Sequence, residues 1–399
     1  MRILLLICLT LLLSVAAASA DTLRIYLDAD RSTNITSARS IEIGMRGAFA
    51  TSKNVIQGHK IEFVLKDHRS NARRTQRHLE EFLQDDQAIA VIGGLHSPPY
   101  LNAKAFVNDH GIPLLLPWSA AAPLTRSNGG PNSIFRLSLD DSIAAEVIIP
   151  FALEQSGCEA ITLLLWESGW GKSNERTMSA ALNKRGLRDF SVRYFGSGLT
   201  DTDAISIAAE IAGNGSDCAI LVGNAPEGKT ILNALTNSEI DVRVFSHWGI
   251  TGGSFEHDVT AQDRDAVDLT FIQPCFDFRG RDAAAQSVLA NLSNTFGDAF
   301  DSEGYLPAPA GLFHGYDLGL ILVHALERID LDQPITHTRR ALVNALERIE
   351  GPIPGLLRDY EQPFSPAHSA SPDAHEALRA SDFCMARFDE SNRIVPIRG

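Results

Sequence analysis

The side chains best suited to chemistry in this sequence come at the ends of short apolar runs. All four tryptophans lie there, at positions 118, 166, 170 and 248. Indole rings form flat apolar walls with one N–H donor each, so several of them together can line a site for a small organic molecule. Core packing is the alternative for each tryptophan taken alone. Because all four occupy the same kind of position, we predict that they share a binding cleft.

A phosphate-loop pattern, G-x-x-x-x-G-K-[ST], occurs at residues 223–230 and would indicate a nucleotide hydrolase. Glu227 places a negative charge inside this pattern, and no apolar strand ending in Asp follows it to hold magnesium. We therefore interpret the segment as a loop of the cleft. A P-loop NTPase, or another exported enzyme that uses the acidic and histidine side chains, is kept as the alternative function.

Metal binding is the third chemistry that the residue types allow. His68, His96 and His247 each follow a predicted strand, and Asp28 and Asp30 follow another. Imidazole and carboxylate groups both ligate metals, but no H-E-x-x-H or C-x-x-C spacing anchors a site. We interpret these histidines as hydrogen-bonding groups. The sequence predicts no metal, no cofactor and no catalytic residue.

The N-terminal sequence indicates export. Arg2 precedes an apolar run over residues 3–15, and residues 18–20 provide the small side chains that a signal peptidase requires. We predict that residues 1–20 form a signal peptide and that the mature protein is periplasmic. A retained N-terminal anchor helix is the alternative.

Length and charge limit the class of protein. At about 380 residues after the predicted cleavage, the chain exceeds one hydrophobic core, so two domains are expected. The net charge of -14 at pH 7 argues against nucleic acid and anionic membrane as partners.

Cysteine spacing fits no zinc pattern, and the predicted compartment permits disulfides. Cys158 and Cys218 each begin a strand-like run, so they could pair if those strands are neighbours in a sheet. With Cys275 and Cys384 included, four free thiols are the alternative.

Strand-like apolar runs alternate with amphipathic helical patterns, such as those at 41–53 and 72–83. This β-α-β rhythm is typical of a parallel sheet covered by helices, and about four such units occur on either side of residue 140. We predict an α/β fold of two Rossmann-like lobes whose parallel sheets are flanked by helices. Ligands of such sheets bind beyond the carboxyl ends of the strands.

About three hinge crossings are predicted to join the lobes. The segment 134–142 is read as the first crossing and 267–278 as the second, and a hairpin is indicated at 389–392 in the tail. The predicted lobe 1 comprises residues 21–139 and 275–378, and the predicted lobe 2 comprises 140–274 and 379–399.

Five segments, taken in order, resemble the branched-chain amino-acid-binding family of ABC transporters, which has the type I periplasmic binding protein fold. They are IGGLHS (92–97), GIPLLLPWSAAAPLT (111–125), ESGWGKS (167–173), LVGNAPE (221–227) and SHWGITGG (246–253). The resemblance spans essentially the whole mature chain. It implies capture of a small molecule, hinge closure, and delivery to a membrane ABC permease, with a membrane sensor as the alternative partner.

The same resemblance implies a set of ligand-binding residues. They are Ser97, Trp118, Ala120, Trp170, Asn224 and Trp248, to which the neighbouring His96, Ser119 and His247 are added. The family's amino-acid binders have a hydroxyl where Ala120 stands and an acid for the ligand ammonium about where Trp248 stands. With both groups missing, we expect a carboxylate or polar molecule with an apolar or aromatic body. The replacement acids that could be in reach are Asp28, Asp30, Glu167 and Glu227.

Overall fold

The computed structural model describes residues 22–397, apart from 128, 254, 277, 279 and 369. The predicted signal peptide at 1–20 lies outside these described residues. None of the helices within them is both long enough and apolar enough to cross a membrane.

Helices and strands alternate along most of the chain. The helices are α1 (Ile35–Ala50), α2 (Ala72–Gln84), α3 (Ser97–Asp109), α4 (Asp141–Pro150), α5 (Gly169–Lys184), α6 (Asp201–Gly213), α7 (Ala225–Asn237), α8 (Phe255–Asp258), α9 (Ala261–Ala266), α10 (Ala283–Thr295), α11 (Pro309–Leu326) and α12 (Ile335–Leu346). The strands are β1 (Thr22–Ala29), β2 (Val55–Ile56), β3 (His59–Asp67), β4 (Ala88–Gly93), β5 (Leu114–Leu116), β6 (Ile134–Arg136), β7 (Ile161–Trp166), β8 (Ser191–Phe195), β9 (Cys218–Val222), β10 (Arg243–Ser246), β11 (Thr270–Pro274), β12 (Ile353–Pro354), β13 (Asp359–Tyr360), β14 (Phe383–Phe388) and β15 (Ile394–Pro396).

The first sheet has the strand order β2-β3-β1-β4-β5-β6. Its neighbouring strands run parallel except for the β2–β3 pair. Every residue of β4 and β5 is buried, because helices cover both faces of a parallel sheet and each strand must be apolar on both sides.

The second sheet has the order β15-β14-β11-β10-β9-β7-β8. Strands β7 to β11 run parallel, whereas β14 and β15 form an antiparallel hairpin at one edge. This hairpin turns at the predicted 389–392 segment. The predicted α/β class, with two parallel-sheet lobes flanked by helices, is confirmed.

The strands of each sheet fall within one predicted lobe. Those of the first sheet lie in 22–136, and those of the second lie in 161–274 and 383–396. We call the two sheets and the helices packed on them lobe 1 and lobe 2. The residue at which each lobe begins stays a prediction.

Two helices of lobe 1, α1 and α11, pack with their backbones in contact. A Cβ atom at Gly44 would lie 2.4 Å from the carbonyl oxygen of Leu312, and one at Gly315 would lie 2.7 Å from that of Ile41. Glycine is therefore required at both contacts. The tight pairing fixes the position of α1 against α11.

Both pairs of cysteines form disulfides. Cys158 and Cys218 lie 5.9 Å apart between their Cα atoms, beside the paired strands β7 and β9. Cys275 bonds to Cys384, with Cα atoms 5.4 Å apart. The disulfide alternative for Cys158 and Cys218 is confirmed, and the alternative of four free thiols is wrong.

The chain passes between the lobes after β6, after β11 and after β13. The first and third passages run side by side, since the Arg136 amide donates to the His375 carbonyl (2.9 Å) and the Ala377 amide donates to the Arg136 carbonyl (3.0 Å). The disulfide between Cys275 and Cys384 joins the start of the second passage to β14, the strand that follows the third passage. The three crossings therefore form one connected hinge.

A buried cation lies at the centre of this hinge. The Arg136 side chain is fully buried, and its guanidinium donates to the carboxylates of Asp140 and Glu376 and to the hydroxyl of Thr125 (3.0 Å). It also donates to the Ala121 carbonyl at 2.9 Å. A buried guanidinium needs such partners because its desolvation costs several kcal/mol, on the order of the whole stability of a domain.

We predict that Arg136→Met lowers the free energy of unfolding by about 3–5 kcal/mol, because it leaves the buried carboxylates of Asp140 and Glu376 with only the partly exposed Arg126 as a cation. Arg193→Met is the matched control, since Arg193 pairs with Glu210 on the surface and such pairs contribute about 1 kcal/mol or less. Urea unfolding of the two variants measures the difference. Equal losses would contradict the importance given to the hinge cation.

Candidate functional site

Six aromatic side chains form a continuous series of ring contacts across the cleft between the lobes. In order of contact they are His96, Trp166, Trp170, His247, Trp248 and Trp118. Successive ring centroids lie 4.9 to 6.4 Å apart. The first and last members belong to lobe 1 and the four between them to lobe 2, so the series crosses the cleft twice. We name it the aromatic series.

Strand direction explains this convergence. The members follow or end the strands β4, β5, β7 and β10, and the carboxyl ends of these strands meet at the facing edges of the two sheets. Of the two interlobe pairs within the series, Trp118 and Trp248 are the closer, with ring centroids 5.6 Å apart and planes inclined by 31°. Of the predicted site residues, the structure brings His96, Trp118, Trp170, His247 and Trp248 together in this way.

Predicted polar residues of lobe 1 lie beside the series. The Ser97 hydroxyl accepts a hydrogen bond from the Ala121 amide (3.1 Å), which leaves its own hydrogen available for a ligand acceptor. The Ser119 hydroxyl donates to the Gly94 carbonyl at 3.0 Å. The Ala120 carbonyl accepts from the Asp141 amide at 3.1 Å. Ser119 and Ala120 therefore fix the shape of their loop, whereas Ser97 can contact a ligand.

Asn224, the remaining predicted residue, precedes α7 and is half-buried. Because α7 begins at Ala225, most of the phosphate-loop pattern is helical, and its amides cannot form the open cradle that a P-loop uses. Lys229 points to Asp258, with Nζ 3.9 Å from Oδ1. The geometry argues against the NTPase alternative.

The acids considered as ammonium partners differ in availability. Asp30 is fully buried and accepts from Ser70 (2.8 Å) and Asn34 (3.1 Å), with the His96 ring nitrogen 3.3 Å away. Burial would raise the pKa of Asp30, but the hydrogen bonds from His96, Thr33 and Ser70 outweigh it and hold the pKa well below its usual range. Asp30 is thus ionised, and its carboxylate already accepts hydrogen bonds from residues of its own lobe.

Asp28, Glu167 and Glu227, the other acids considered as partners of a ligand ammonium, lie in different surroundings. Asp28 lies 2.7 Å from the His78 ring nitrogen, on the lobe 1 side. Glu167 is exposed, and Glu227 is buried at the start of α7, where burial raises its pKa.

The histidines considered for metal binding do not converge. The His68 ring nitrogen Nδ1 accepts from the Ser70 amide (3.0 Å), His96 contacts Asp30, and His247 lies in the other lobe. Within the described part of the chain, no group of three or more His, Cys, Asp or Glu side chains is arranged to hold a metal ion.

A fully buried acid, Asp141, was missed by the sequence reasoning. Its carboxylate accepts from the Trp170 indole (3.0 Å), the Asn174 amide (2.7 Å) and the Ala122 backbone amide (3.2 Å). Burial, and after it the charge of Asp140, raises the pKa of Asp141 to about 7. In the sequence, the only indication was the pair of consecutive aspartates, Asp140 and Asp141, in the first crossing. Because this segment was predicted to be extended, the sequence gave no reason to expect either side chain in the cleft.

Two neutral histidines lie deep in the site. His247 and His314 are fully buried, and burial lowers the pKa of each to about 3. The His314 ring lies 5.1 Å from Trp248, and its Nδ1 lies 3.0 Å from the Pro117 carbonyl. Neither ring nitrogen of His247 has a hydrogen-bond partner among the described residues.

The low pKa of His314 predicts acid sensitivity. The folded pKa of His314 of about 3 lies below the unfolded value of about 6.5. When the pH is lowered, the unfolded chain therefore takes up a proton before the folded protein does, and the free energy of unfolding decreases as the pH falls from about 6.5 to about 3. Per histidine, the loss is about 1.4 kcal/mol for each pH unit. We expect His314→Phe to lose less stability than the wild type when pH falls from 6.5 to 4.5.

Urea unfolding at several pH values measures this, with exposed His337→Phe as the control. Equal acid sensitivity of the His314→Phe variant and the wild type would contradict it.

Two solved structures show the same fold. A leucine binding protein from Thermotoga maritima superposes with a TM-score of 0.75 at 15% identity, covering 94% of this chain and 98% of that one. An ABC transporter solute binding protein from R. palustris, in complex with benzoate, gives a TM-score of 0.76 at 17% identity and covers 94% and 95%. At these identities the likeness concerns the fold alone.

Sequence comparison gives a curated relative and a family. An amino acid binding protein from Pseudomonas aeruginosa is 21% identical over 210 residues, and the match covers 51% of this chain and 55% of that protein. The chain therefore spans about half the length of the curated relative that it matches. The family model for periplasmic binding proteins matches residues 27–377. Since this match covers most of the sequence, the chain belongs to the periplasmic binding protein family of type I fold.

Proposed function

We propose that this protein captures a small organic molecule in the cleft between its lobes and acts by binding rather than by turnover. The aromatic series is the observation that carries the proposal. It collects all four tryptophans of the chain from both lobes, and Trp118, Trp170 and Trp248 are each 5% exposed or less. Aromatic walls drawn from two lobes suit a ligand that is enclosed when the lobes close.

The proposed ligand is a carboxylate or polar molecule with an apolar or aromatic body. Ser97 begins α3, where the helix N-terminus favours an anion, and its hydroxyl can donate to a carboxylate. The indole rings would contact the body of the ligand. The benzoate complex of the R. palustris protein supports this class, because benzoate joins a carboxylate to an aromatic ring.

The proposed mechanism is closure about the hinge, between lobe 1 (21–139 and 275–378) and lobe 2 (140–274 and 379–399). The ligand favours the closed form only through contacts that it makes better there. Contacts such as Trp118 with Trp248 span the two lobes and depend on closure. His96, Ser97, Ser119, Ala120 and Asn224 are proposed to complete the site.

We further propose delivery to an ABC permease outside the cytoplasm, after export through the predicted signal peptide. The family membership and the ABC transporter assignment of the R. palustris neighbour support this role.

We predict that benzoate or 3-phenylpropionate binds the wild-type protein and that Trp118→Ala weakens binding at least about 10-fold, since one aromatic contact contributes about 1 kcal/mol beyond the buried area. Tyr194→Ala is the control, because Tyr194 lies on β8 and bonds to Glu175 instead of joining the series. Isothermal titration calorimetry measures both affinities. Binding that is unchanged in Trp118→Ala would refute the proposed site.

A further inference from the structure

His314 lies deep in the cleft beside the aromatic series, although it is not a member of it. It belongs to α11 of lobe 1, and its ring centroid lies 5.1 Å from that of Trp248 in lobe 2. Its Nδ1 atom lies 3.0 Å from the carbonyl oxygen of Pro117, the residue before Trp118. His314 therefore sits between the loop that carries Trp118 and the ring of Trp248.

The contact with Pro117 fixes which ring nitrogen of His314 carries the hydrogen. A carbonyl oxygen only accepts hydrogen bonds, so Nδ1 must be the donor. Burial lowers the pKa of His314 to about 3, so the ring is neutral at pH 7 and holds a single N–H. The Nε2 atom therefore presents a bare lone pair and can only accept a hydrogen bond.

This Nε2 acceptor is buried without a donor. The His314 side chain is fully buried, and Nε2 has no hydrogen-bond partner among the residues that the structure describes. A buried acceptor that receives no hydrogen is destabilising, and such atoms are rare in folded proteins. No charged side chain of the described residues shifts the pKa of His314. These surroundings suit a neutral donor, such as a hydroxyl group, and do not suit a cation.

Gln273 of β11 presents a second acceptor close to Trp248. The Thr251 hydroxyl donates to the Trp248 carbonyl (2.8 Å), so the Thr251 oxygen accepts from the Gln273 side-chain amide (3.0 Å). This arrangement turns the NH2 group of Gln273 toward Thr251 and leaves Oε1 as an acceptor. Gln273 is also fully buried, and its Oε1 atom has no partner in the described part of the chain. Two acceptors in need of donors thus adjoin one tryptophan of the cleft.

We propose that Nε2 of His314 and Oε1 of Gln273 form a subsite for a hydroxyl group carried by the body of the ligand. The proposal rests on the proposed function and deepens it, since it narrows the ligand class to hydroxylated carboxylates with an aromatic or apolar body. The carboxylate binds at Ser97, and the hydroxyl donates its hydrogen to His314. The subsite selects the ligand through a neutral hydrogen bond and adds no charge to it.

Four probes with a common frame test the proposal at pH 7: 3-phenylpropionate and its three isomers with a hydroxyl at the ortho, meta or para position of the ring. For the wild type, one isomer is expected to bind at least about 10-fold more tightly than 3-phenylpropionate, because its hydroxyl supplies a donor to a buried acceptor. Isothermal titration calorimetry measures the four affinities. If no isomer binds more tightly than 3-phenylpropionate, the subsite is overturned, since water then serves these acceptors equally well.

His314→Phe removes the acceptor and keeps a planar ring beside Trp248 and Phe383. In this variant the preferred isomer is expected to lose its advantage and to bind no more tightly than 3-phenylpropionate, because its hydroxyl then faces a carbon edge. His314→Asn is the second variant. Its amide can still donate to the Pro117 carbonyl, but it offers no acceptor at the position of Nε2, so the same loss is expected even if His314→Phe does not fold. A preference that survives in either variant overturns the subsite.

His59→Phe is the matched control. His59 is also a buried histidine of lobe 1, and its Nδ1 atom likewise has no partner within the described residues. It begins β3, so it lies at the amino end of that strand, away from the cleft. This variant should keep the preference of the wild type for the hydroxylated isomer. If the preference disappears in His59→Phe as well, its assignment to His314 is wrong.

The probes also separate this subsite from the proposed function. If 3-phenylpropionate binds and no hydroxylated isomer binds more tightly, the subsite fails while the proposed function stands. If none of the four probes binds, the proposed ligand class fails, and the subsite fails with it.

Discussion

Burial of the Arg136 guanidinium constrains the middle of this molecule more than any other charge. A cation out of contact with water must be surrounded by acceptors, and here they come from separate parts of the chain: Asp140 in the first crossing, Glu376 in the third, and the Ala121 carbonyl. The same contacts that satisfy the charge therefore hold two hinge crossings together. They also fix the loop on which Trp118 and Ser119 lie, so the hinge and one wall of the cleft depend on a single ion.

The two lobes meet because of how parallel sheets are built. Each sheet directs the carboxyl ends of its strands to one edge, and the hinge holds these edges facing each other. Large aromatic side chains that follow the strands can then contact one another across the gap. Burial keeps His247 neutral, whereas Asp30 stays ionised because polar side chains and amides of its own lobe surround it.

Much of this arrangement is readable from the sequence. The alternation of buried strands with helical patterns predicted both sheets, and the strand ends led to Trp118, Trp170 and Trp248. The pairing of Cys158 with Cys218 stayed open because it depends on which strands become neighbours, and β9 was seen to lie beside β7 only in the structure. Asp141 was missed for a similar reason. Its importance comes from burial against α5 and from the pairing of nearby arginines with other acids, and neither leaves a local pattern.

Tryptophan fluorescence tests the central claim, that the aromatic series lines the ligand site, most directly, because all four tryptophans of the chain belong to the series. Titration with an aromatic carboxylate whose affinity is known from calorimetry should change the emission, and the change should saturate at the same dissociation constant. Saturable binding by calorimetry without any change in emission would contradict the account, since the ligand would then bind away from every tryptophan.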